Sequence, residues 1–458
     1  MSLVSLFWRY CEACFPVTRQ TKASGQKHLL VHLVRADQEV RAIDLGPVDS
    51  LNQWVQTWRL DLGQSRDASD AASKLRERIW LPIEEHLAGV HTVYVSPDGV
   101  LGQFPLAALP GKKPGSYLLE EMAIIMLPVP QGLPAMASTP SSSAASTDER
   151  FCLVGGVDYE QYAAPESPEL DNGARPLTPT TLTGTGPVLL ASRGGQWQTF
   201  NALPGTSAEI DTIESMLRKY RPTAKATILR GSSATEEMFA KIAPGQRYLH
   251  VATHGFFAPE TVKNALAASS SEPNRMFGSS DSRPSKPLGQ HPDLLSGLVF
   301  AGANHESSVG ANDGILTAAE VHSLDLRGVD LAVLSACETG LGQSAGGEGI
   351  IGLQRAFQLA GVRTTITSLW QVDDAATRAL MVEFYRNRFE KKLSKLESLR
   401  QAQIWMLNNP SVIEGRNLTT RGEVRETKAN IVDTQTKPSS GRSLPAYWAA
   451  FQLSGDPR

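Results

Sequence analysis

The chain has few cysteines, no long apolar segment and no large excess of either charge. Only four of its 458 residues are cysteine, which argues against a disulfide scaffold and favours a reducing cytoplasm. No apolar run approaches the ~18 residues of a membrane-spanning helix, and the first residues, MSLVSLFWRYCEACFP, lack the basic segment of a secretory signal. The net charge of −3 argues against nucleic acid or an anionic membrane as the main partner.

Motifs for metal and nucleotide binding are also scarce. Cys11-Glu12-Ala13-Cys14 is a lone CxxC without a second pair at zinc spacing, so an incidental pair is the preferred interpretation, with a redox or metal site as the alternative. The glycine-rich stretch 340–349 lacks the Lys-Ser/Thr of a phosphate-binding loop, and no predicted strand leads into GxGxxG. We therefore expect no metal and no nucleotide cofactor.

The composition is that of a globular protein with a large core. Hydrophobic residues make up 41% of the chain, and its length corresponds to about three average domains or two larger ones. The low-complexity segment 134–150 predicts a linker between an N-terminal and a C-terminal half. Segments near 160–197, 260–293 and 410–443 are rich in Ser, Pro and Gly and predict mobile surface loops.

Short apolar segments alternate with amphipathic helices through most of the chain. The predicted strands are HTVYVS (91–96), AIIMLPV (123–129), RFCLVGG (150–156), ATILRG (226–231), RYLHVATH (247–254), GLVFAG (297–302), LAVLSAC (331–337) and TTITSLW (364–370). Several are continuous apolar runs, which are typical of strands covered on both faces. This alternation predicts an α/β fold with a mostly parallel sheet flanked by helices.

Local signals predict where some helices begin, bend and end. Residues 206–209, Thr-Ser-Ala-Glu, have the pattern of a capping box before an apolar stripe. A second stripe between 75 and 87 contains Pro82, which is expected to bend or shorten its helix. The segment 350–361 ends on a glycine at its C-cap position. His250 lies within an apolar strand and is expected to be a hydrogen-bonded core histidine.

Two of the predicted strands end on reactive side chains. RYLHVAT leads into His254-Gly255, and LAVLSA leads into Cys337. If these strands are neighbours, both side chains lie at the carboxyl edge of the sheet, where a histidine can move protons for a cysteine nucleophile. Backbone N–H groups in the following turns would stabilise an oxyanion, and Gly255 allows close approach. The alternative is that Cys337 is inert core and His254 an ordinary loop residue.

Longer motifs surround these residues. They are ATHGFF (252–257), LSACETGLGQSAGGEGIIGLQRAFQLAG (334–361), TTITSLWQVDDAAT (364–377), LPGTSAEI (203–210), DGILTAAEV (313–321) and YWAAFQLSGD (447–456), with HLLVHLVRADQEVRAIDLGP (28–47) and VYVSPDGVLGQFPLAALP (93–110) in the N-terminal half. Together they closely resemble the CHAT family, caspase-like peptidases commonly attached to tetratricopeptide repeats. The resemblance covers roughly residues 25–458, in the family's order.

The resemblance implies a caspase-like fold in two halves, paired as in separases. Residues 1–133 would form an inactive caspase-like half, 134–150 the linker, and 151–458 the catalytic half. Cys337 would be the nucleophile and His254 its proton-transfer partner, with the amides of Gly255 and Cys337 in the oxyanion hole. Peptide hydrolysis would pass through a thioester acyl-enzyme.

Specificity residues follow from the same resemblance. Metacaspases place an aspartate two residues before the nucleophile, where this chain has Ser335. Separases carry LWDVTD where this chain has LWQVDD (369–374), so Asp374, with Asp373 as the alternative, is expected to face a basic P1 side chain. An aspartate at Asp374 is equally well explained as the N-cap of the helix that follows.

Three further features beside the dyad have open roles. Trp370 either walls the substrate cleft or packs in the core. Glu338 either contacts substrate or braces the loop that carries Cys337. The glycines of 340–349 predict a flexible loop that becomes ordered when substrate or an activator binds.

The sequence thus predicts a cytoplasmic cysteine endopeptidase that cleaves a partner protein once an activator is present. The resemblance implies prokaryotic signalling, antiphage defence or regulated cell death, with gasdermins or CRISPR-linked proteins as example substrates. Tetratricopeptide repeats usually pass the signal in this family, and this sequence contains none. The activating sensor is therefore expected on another chain, such as a repeat protein, or in the N-terminal half. The alternative function is a catalytically silent scaffold that binds protein partners.

Overall fold

A computed structural model describes most of the chain in segments. The described residues are 3–12, 27–35, 38–63, 69–97, 99–127, 133, 136, 149–161, 199–257, 296–305, 313–335, 348–370, 372–414 and 441–458. Cys14, Cys337 and Glu338 lie outside them, as do nearly all of the predicted linker and most of the three predicted loops. At the start of the third predicted loop, Ser411–Glu414 forms a short helix.

The chain packs into two units. The first contains residues 1–146, 212–222 and 372–458, and the second contains residues 147–211 and 223–371. Residues 372–458 therefore belong to the same unit as residues 1–146. The assignment of 1–133 and 151–458 as inactive and active halves stays a prediction.

The strands are numbered in chain order. They are β1 (Leu3–Glu12), β2 (Lys27–Arg35), β3 (Arg41–Pro47), β4 (Thr92–Ser96), β5 (Ala123–Met126), β6 (Arg150–Val157), β7 (Lys225–Gly231), β8 (Tyr248–Val251), β9 (Gly255–Phe257), β10 (Ser296–Val299), β11 (Ile315–Thr317), β12 (Leu331–Leu334), β13 (Thr364–Ser368) and β14 (Phe451–Gly455). Every predicted strand is present, although several end earlier than their apolar runs.

The α-helices are numbered in the same way. They are α1 (Asp49–Gly63), α2 (Ser69–Leu75), α3 (Leu81–Glu84), α4 (Leu118–Glu121), α5 (Pro204–Tyr220), α6 (Glu236–Ile242), α7 (Ala318–Ser323), α8 (Glu348–Leu359), α9 (Asp374–Phe389), α10 (Lys395–Asn408), α11 (Ser411–Glu414) and α12 (Pro445–Trp448). Among the described helices, none has the length and hydrophobicity needed to cross a bilayer.

The first unit contains a sheet with the strand order β3-β2-β1-β4-β5-β14. β2 and β3 form an antiparallel hairpin, and β1 extends it. β1, β4, β5 and β14 run parallel.

The predicted effect of Pro82 is confirmed, because α2 stops at Leu75, a π-helical turn spans Arg76–Trp80, and α3 begins at Leu81. Proline has no N–H for the helical ladder, so the helix changes its hydrogen bonding there.

The second unit contains the parallel sheet that the sequence predicts. Its order is β13-β12-β8-β6-β7, and every neighbouring pair is parallel. A separate antiparallel sheet has the order β11-β10-β9, so the GLVFAG strand belongs to this smaller sheet. All residues of β12 and β13 are buried, as expected of strands covered on both faces.

Helices cover both faces of this parallel sheet. Cys152, Leu249 and Ala332 lie in register across three strands and belong to one buried cluster with apolar side chains of α6, α7 and α8. On the other face, His250 packs against α5. Each fully buried large side chain, such as Phe357, contributes about 1.5–3 kcal/mol.

Two buried ionisable groups of the second unit have strongly shifted pKa values. Burial raises the pKa of the Cys152 thiol to about 12, so Cys152 is an unreactive core residue at neutral pH. Burial, together with the negative charges of Glu320 and Asp313, raises the pKa of Glu236 to about 10. Glu236 therefore stays protonated in the folded protein over most of the pH range.

Candidate functional site

His254 lies where the chain passes from one sheet of the second unit to the other. It follows β8 of the parallel sheet by three residues and immediately precedes β9 of the antiparallel sheet. Its backbone carbonyl accepts a hydrogen bond from Val299 N–H at 2.9 Å. The backbone of His254 is thus fixed at the carboxyl edge of the parallel sheet, where catalytic groups of such sheets are found.

The His254 imidazole has one engaged and one unengaged nitrogen. Nε2 is 2.7 Å from the carbonyl oxygen of Asn201. A carbonyl can only accept, so Nε2 carries the hydrogen and donates it. Nδ1 is buried and has no hydrogen-bond partner among the described residues. In the neutral ring Nδ1 is therefore the basic nitrogen.

Aromatic side chains enclose the imidazole, which is only 8% exposed. The rings of Tyr159 and Phe200 have their centroids 5.1 Å and 5.6 Å from that of His254. The Thr253 hydroxyl donates to the Val299 carbonyl, so the Tyr159 hydroxyl must donate to Thr253 Oγ1, 2.9 Å away. The ring of His254 is held by packing on its faces and by one hydrogen bond at its edge.

The segment that supplies the Asn201 carbonyl is itself fixed by a side chain distant in sequence. Asn304 Oδ1 accepts from Phe200 N–H at 2.9 Å, and Asn304 Nδ2 donates to the Phe200 carbonyl at 3.0 Å. The second hydrogen of Nδ2 goes to Glu160 Oε1 at 2.6 Å. The backbone N–H of Asn304 donates to the Tyr159 carbonyl at 2.9 Å. Asn304 thus connects both aromatic neighbours of His254.

Helix α5 follows this segment directly and is anchored on the sheet. Thr206 Oγ1 donates to the Leu203 carbonyl and accepts from Gly156 N–H, at 2.7 Å and 2.9 Å. A Cβ on Gly155 would lie 2.7 Å from the Thr206 carbonyl oxygen, so only glycine permits this approach. The predicted capping box at 206–209 is wrong, because α5 already begins at Pro204 and Thr206 bonds the neighbouring strand instead.

A buried acid–imidazole pair joins α5 to β8. Glu209 and His250 are 1% and 0% exposed, and Glu209 Oε1 lies 2.9 Å from His250 Nε2. Because β8 leads into His254, this pair fixes α5 to the strand that carries His254. His250 is therefore a core histidine with a partner, as the sequence predicts.

The strand that precedes Cys337 is the direct neighbour of β8. β12 runs parallel to β8, and Leu334 is in register with Val251. In sequence, Cys337 follows Leu334 by three residues and His254 follows Val251 by three residues. Ser335 is buried, and its hydroxyl has no hydrogen-bond partner among the described residues. The neighbouring-strand condition for the dyad is met, while Cys337 itself lies outside the described residues.

The expected specificity residues occupy different environments. Asp373 is the N-cap of α9, and its carboxylate accepts from Ala375 N–H and Ala376 N–H at 3.1 Å and 3.2 Å. Asp374 is the first residue of α9 and half-buried, so the capping role considered for it is wrong. Trp370 is 7% exposed, with its carbonyl bonded to the Ser368 hydroxyl. Roles of these residues toward substrate stay predictions.

The residues that support His254 carry no local signal in the sequence. Asn201 and Asn304 are 53 and 50 positions from His254 in sequence. Asn201 contacts the imidazole through its backbone carbonyl, and Asn304 binds the backbone of the preceding residue, Phe200. No local pattern marks such contacts, since a carbonyl acceptor is available at every residue.

In the part of the chain that the structure describes, no three His, Cys, Asp or Glu side chains are grouped as metal ligands would be.

Comparisons with solved structures find chains of low sequence identity. An Arg-specific cysteine proteinase, gingipain R (RgpB), is 10% identical with a TM-score of 0.42, over 89% of this chain and 74% of that one. The complex of pro- and mature domains of RgpB from Porphyromonas gingivalis is 10% identical with a TM-score of 0.40, over 90% and 75%. Saccharomyces cerevisiae separase, bound to securin, is 10% identical with a TM-score of 0.38, over 81% of this chain and 16% of the separase chain.

Comparison with protein families gives a match over most of the chain. Among curated protein sequences, none is significantly similar. The model of the CHAT domain matches residues 69–456, a span that includes His254, Cys337 and the LWQVDD segment. The chain belongs to the CHAT domain family.

Proposed function

We propose that this protein is a cysteine endopeptidase in which Cys337 is the nucleophile and His254 the proton-transfer residue. The observation that carries the proposal is the state of His254. Its Nε2–H is committed to the Asn201 carbonyl, while Nδ1 is buried and unengaged among the described residues, at the end of a strand next to β12. A buried nitrogen without a partner among the described residues calls for a physical reason, and a proton-transfer role supplies one.

In the proposed reaction, the Cys337 thiol gives its proton to His254 Nδ1, and the resulting thiolate attacks the scissile carbonyl carbon. The amides of Gly255 and Cys337 stabilise the oxyanion. The C–N bond breaks as the proton on His254 Nδ1 passes to the leaving amine, and a thioester remains on Cys337. Water then attacks the thioester, giving up a proton to Nδ1, and the carboxylate product leaves as the thiolate is regenerated.

The proposal is tested with fluorogenic peptides that carry Arg, Lys, Asp or Leu at P1, alone and with candidate activators. Cys337→Ala and His254→Ala are expected to abolish turnover, since the steps above require both groups. Cys152→Ala is the matched control, because Cys152 is a buried thiol in the core of the second unit. Turnover that survives in Cys337→Ala contradicts the dyad. Silence of the wild type with every activator favours the scaffold function.

We propose further that Asp374 faces a basic P1 side chain. Asp373 serves as the cap of α9, so the carboxylate of Asp374 is not the N-cap. Removing one partner of a buried charge pair costs about 2 kcal/mol or more, so Asp374→Asn should lower kcat/KM for Arg and Lys substrates at least about 30-fold. Asp373→Ala should cost about 1 kcal/mol of stability and leave the preference unchanged. An undiminished basic preference in Asp374→Asn removes Asp374 from the specificity site.

The physiological setting that we propose is activated cleavage of a partner protein in the cytoplasm. Membership of the CHAT family supports a role in prokaryotic signalling, antiphage defence or regulated cell death, with gasdermins or CRISPR-linked proteins as model substrates. The test compares new protein N-termini in cells that express wild type or Cys337→Ala. Termini present only with wild type identify the substrate. Identical termini in both would contradict an endopeptidase role in those cells.

A further inference from the structure

Asn304 is the side chain on which the surroundings of His254 converge. It lies in the turn after β10, 50 positions from His254 in sequence, and does not hydrogen-bond the imidazole itself. Its amide group brackets the backbone of Phe200, one oxygen accepting from the N–H and one nitrogen donating to the carbonyl. The amide orientation is fixed, because a backbone N–H can only donate and a carbonyl can only accept.

The bracketed residue directly precedes the acceptor of the His254 hydrogen bond. Fixing both backbone groups of Phe200 also fixes the peptide unit that joins Phe200 to Asn201. The Asn201 carbonyl then lies 2.7 Å from His254 Nε2. The main chain of Asn304 also holds Tyr159, so both rings that pack on the imidazole depend on the position of Asn304.

We propose that Asn304 is a positioning residue for His254, because its bracket on Phe200 holds the Asn201 carbonyl where it selects the Nε2–H tautomer. This inference rests on the proposed function, since a fixed tautomer leaves Nδ1 as the nitrogen that exchanges protons with the reacting groups. If the Asn201 carbonyl moves away from Nε2, the neutral His254 imidazole can carry its hydrogen on either nitrogen. A displacement of about 1 Å at such a residue lowers turnover by about 10²-fold.

Two substitutions remove the bracket in different ways. Asn304→Ala removes both side-chain hydrogen bonds to Phe200. Asn304→Asp keeps an acceptor for Phe200 N–H but places an oxygen against the Phe200 carbonyl, so it tests the bracket with little change of volume. Glu160→Gln is the matched control, because Gln at this exposed position still accepts from Asn304 Nδ2. Val321→Ala is a second control for destabilisation alone, since Val321 is a buried core residue of α7.

The primary readout is the tautomer of His254, which does not require activity. Protein with ¹⁵N-labelled histidine is studied by NMR, and His254→Gln assigns the signal among the nine histidines. Wild type, Glu160→Gln and Val321→Ala are expected to show the neutral ring as the Nε2–H tautomer alone. Asn304→Ala and Asn304→Asp are expected to show both tautomers, with kcat about 10²-fold lower and KM nearly unchanged.

The outcomes separate this inference from the proposed function. A single Nε2–H tautomer in both Asn304 variants overturns the positioning role, whether or not the wild type is a peptidase. Mixed tautomers in these variants support the role even if no peptide is cleaved, and then only the proposed function fails. Mixed tautomers in Val321→Ala would also overturn it, because general destabilisation would then explain the effect. If Asn304→Ala does not fold, Asn304→Asp decides.

Discussion

The buried pair of Glu209 and His250 allows a prediction with a defined magnitude. Glu209→Leu leaves a fully buried imidazole facing an apolar side chain. An unsatisfied buried polar group costs about 1–3 kcal/mol, and an uncompensated buried charge costs about 3–5 kcal/mol. Replacing both members by apolar side chains removes the unsatisfied group, so the double variant Glu209→Leu/His250→Leu should be less destabilised than the two single variants combined. Glu209→Gln keeps a polar group beside His250 Nε2 and should cost least.

The assay is urea unfolding of the four variants and wild type, followed by circular dichroism. A coupling free energy of about 1–3 kcal/mol is expected from the double-mutant cycle, with unchanged m-values. If the double variant loses as much stability as the sum of the single variants, Glu209 and His250 do not act as a pair. Equal losses for Glu209→Gln and Glu209→Leu would likewise contradict a polar contact between Glu209 and His250.

Three more properties of the second unit can be measured. Glu236 keeps its proton in the folded state up to a pKa of about 10, against 4.5 for an ordinary glutamate. The stabilisation of the folded state that this proton provides is therefore complete below pH 4.5 and declines as the pH rises. Stability should fall by up to about 1.4 kcal/mol per pH unit across that window, and Glu236→Gln should flatten this slope in urea titrations at pH 5, 7 and 9. Gly361→Ala should lower the melting temperature, because φ is +113° and a Cβ would lie 2.7 Å from the Arg327 backbone; an unchanged value refutes this strain. Cys152 should react with iodoacetamide only after unfolding, and labelling of the folded protein at Cys152 would contradict its burial.

The sequence predicts those parts of the fold that depend on local patterns. Continuous apolar runs identify β8 and β12, and their adjacency brings the chain at His254 to the edge where β12 ends. Pro82 predicts a helix break because a missing N–H acts locally. The capping box at 206–209 fails because Thr206 finds a better partner in a strand 50 positions away, which no local pattern records.

The supports of the candidate site were not predictable for the same physical reason. Asn201 contributes only its backbone carbonyl, which is common to all residue types, and Asn304 acts through the backbone of Phe200. The N-cap of α9 is Asp373 rather than Asp374, so the helix begins one residue earlier than the sequence indicates. Because both positions are aspartate, the sequence pattern fits either residue as the cap. Tertiary contacts therefore determine the hydrogen bonds around His254, while the pattern of apolar residues along the chain determines where His254 lies on the sheet.

The most direct test of the central proposal is covalent labelling of the nucleophile. A peptidyl acyloxymethyl ketone with Arg at P1 is incubated with the protein and a candidate activator, and the modified residue is identified by peptide mapping. The chain has four cysteines, so the result distinguishes Cys337 from Cys11, Cys14 and Cys152. Labelling confined to Cys337, and lost in His254→Ala, is the predicted result. Labelling at another cysteine, or undiminished labelling in Cys337→Ala, would contradict the assignment of Cys337 as the nucleophile.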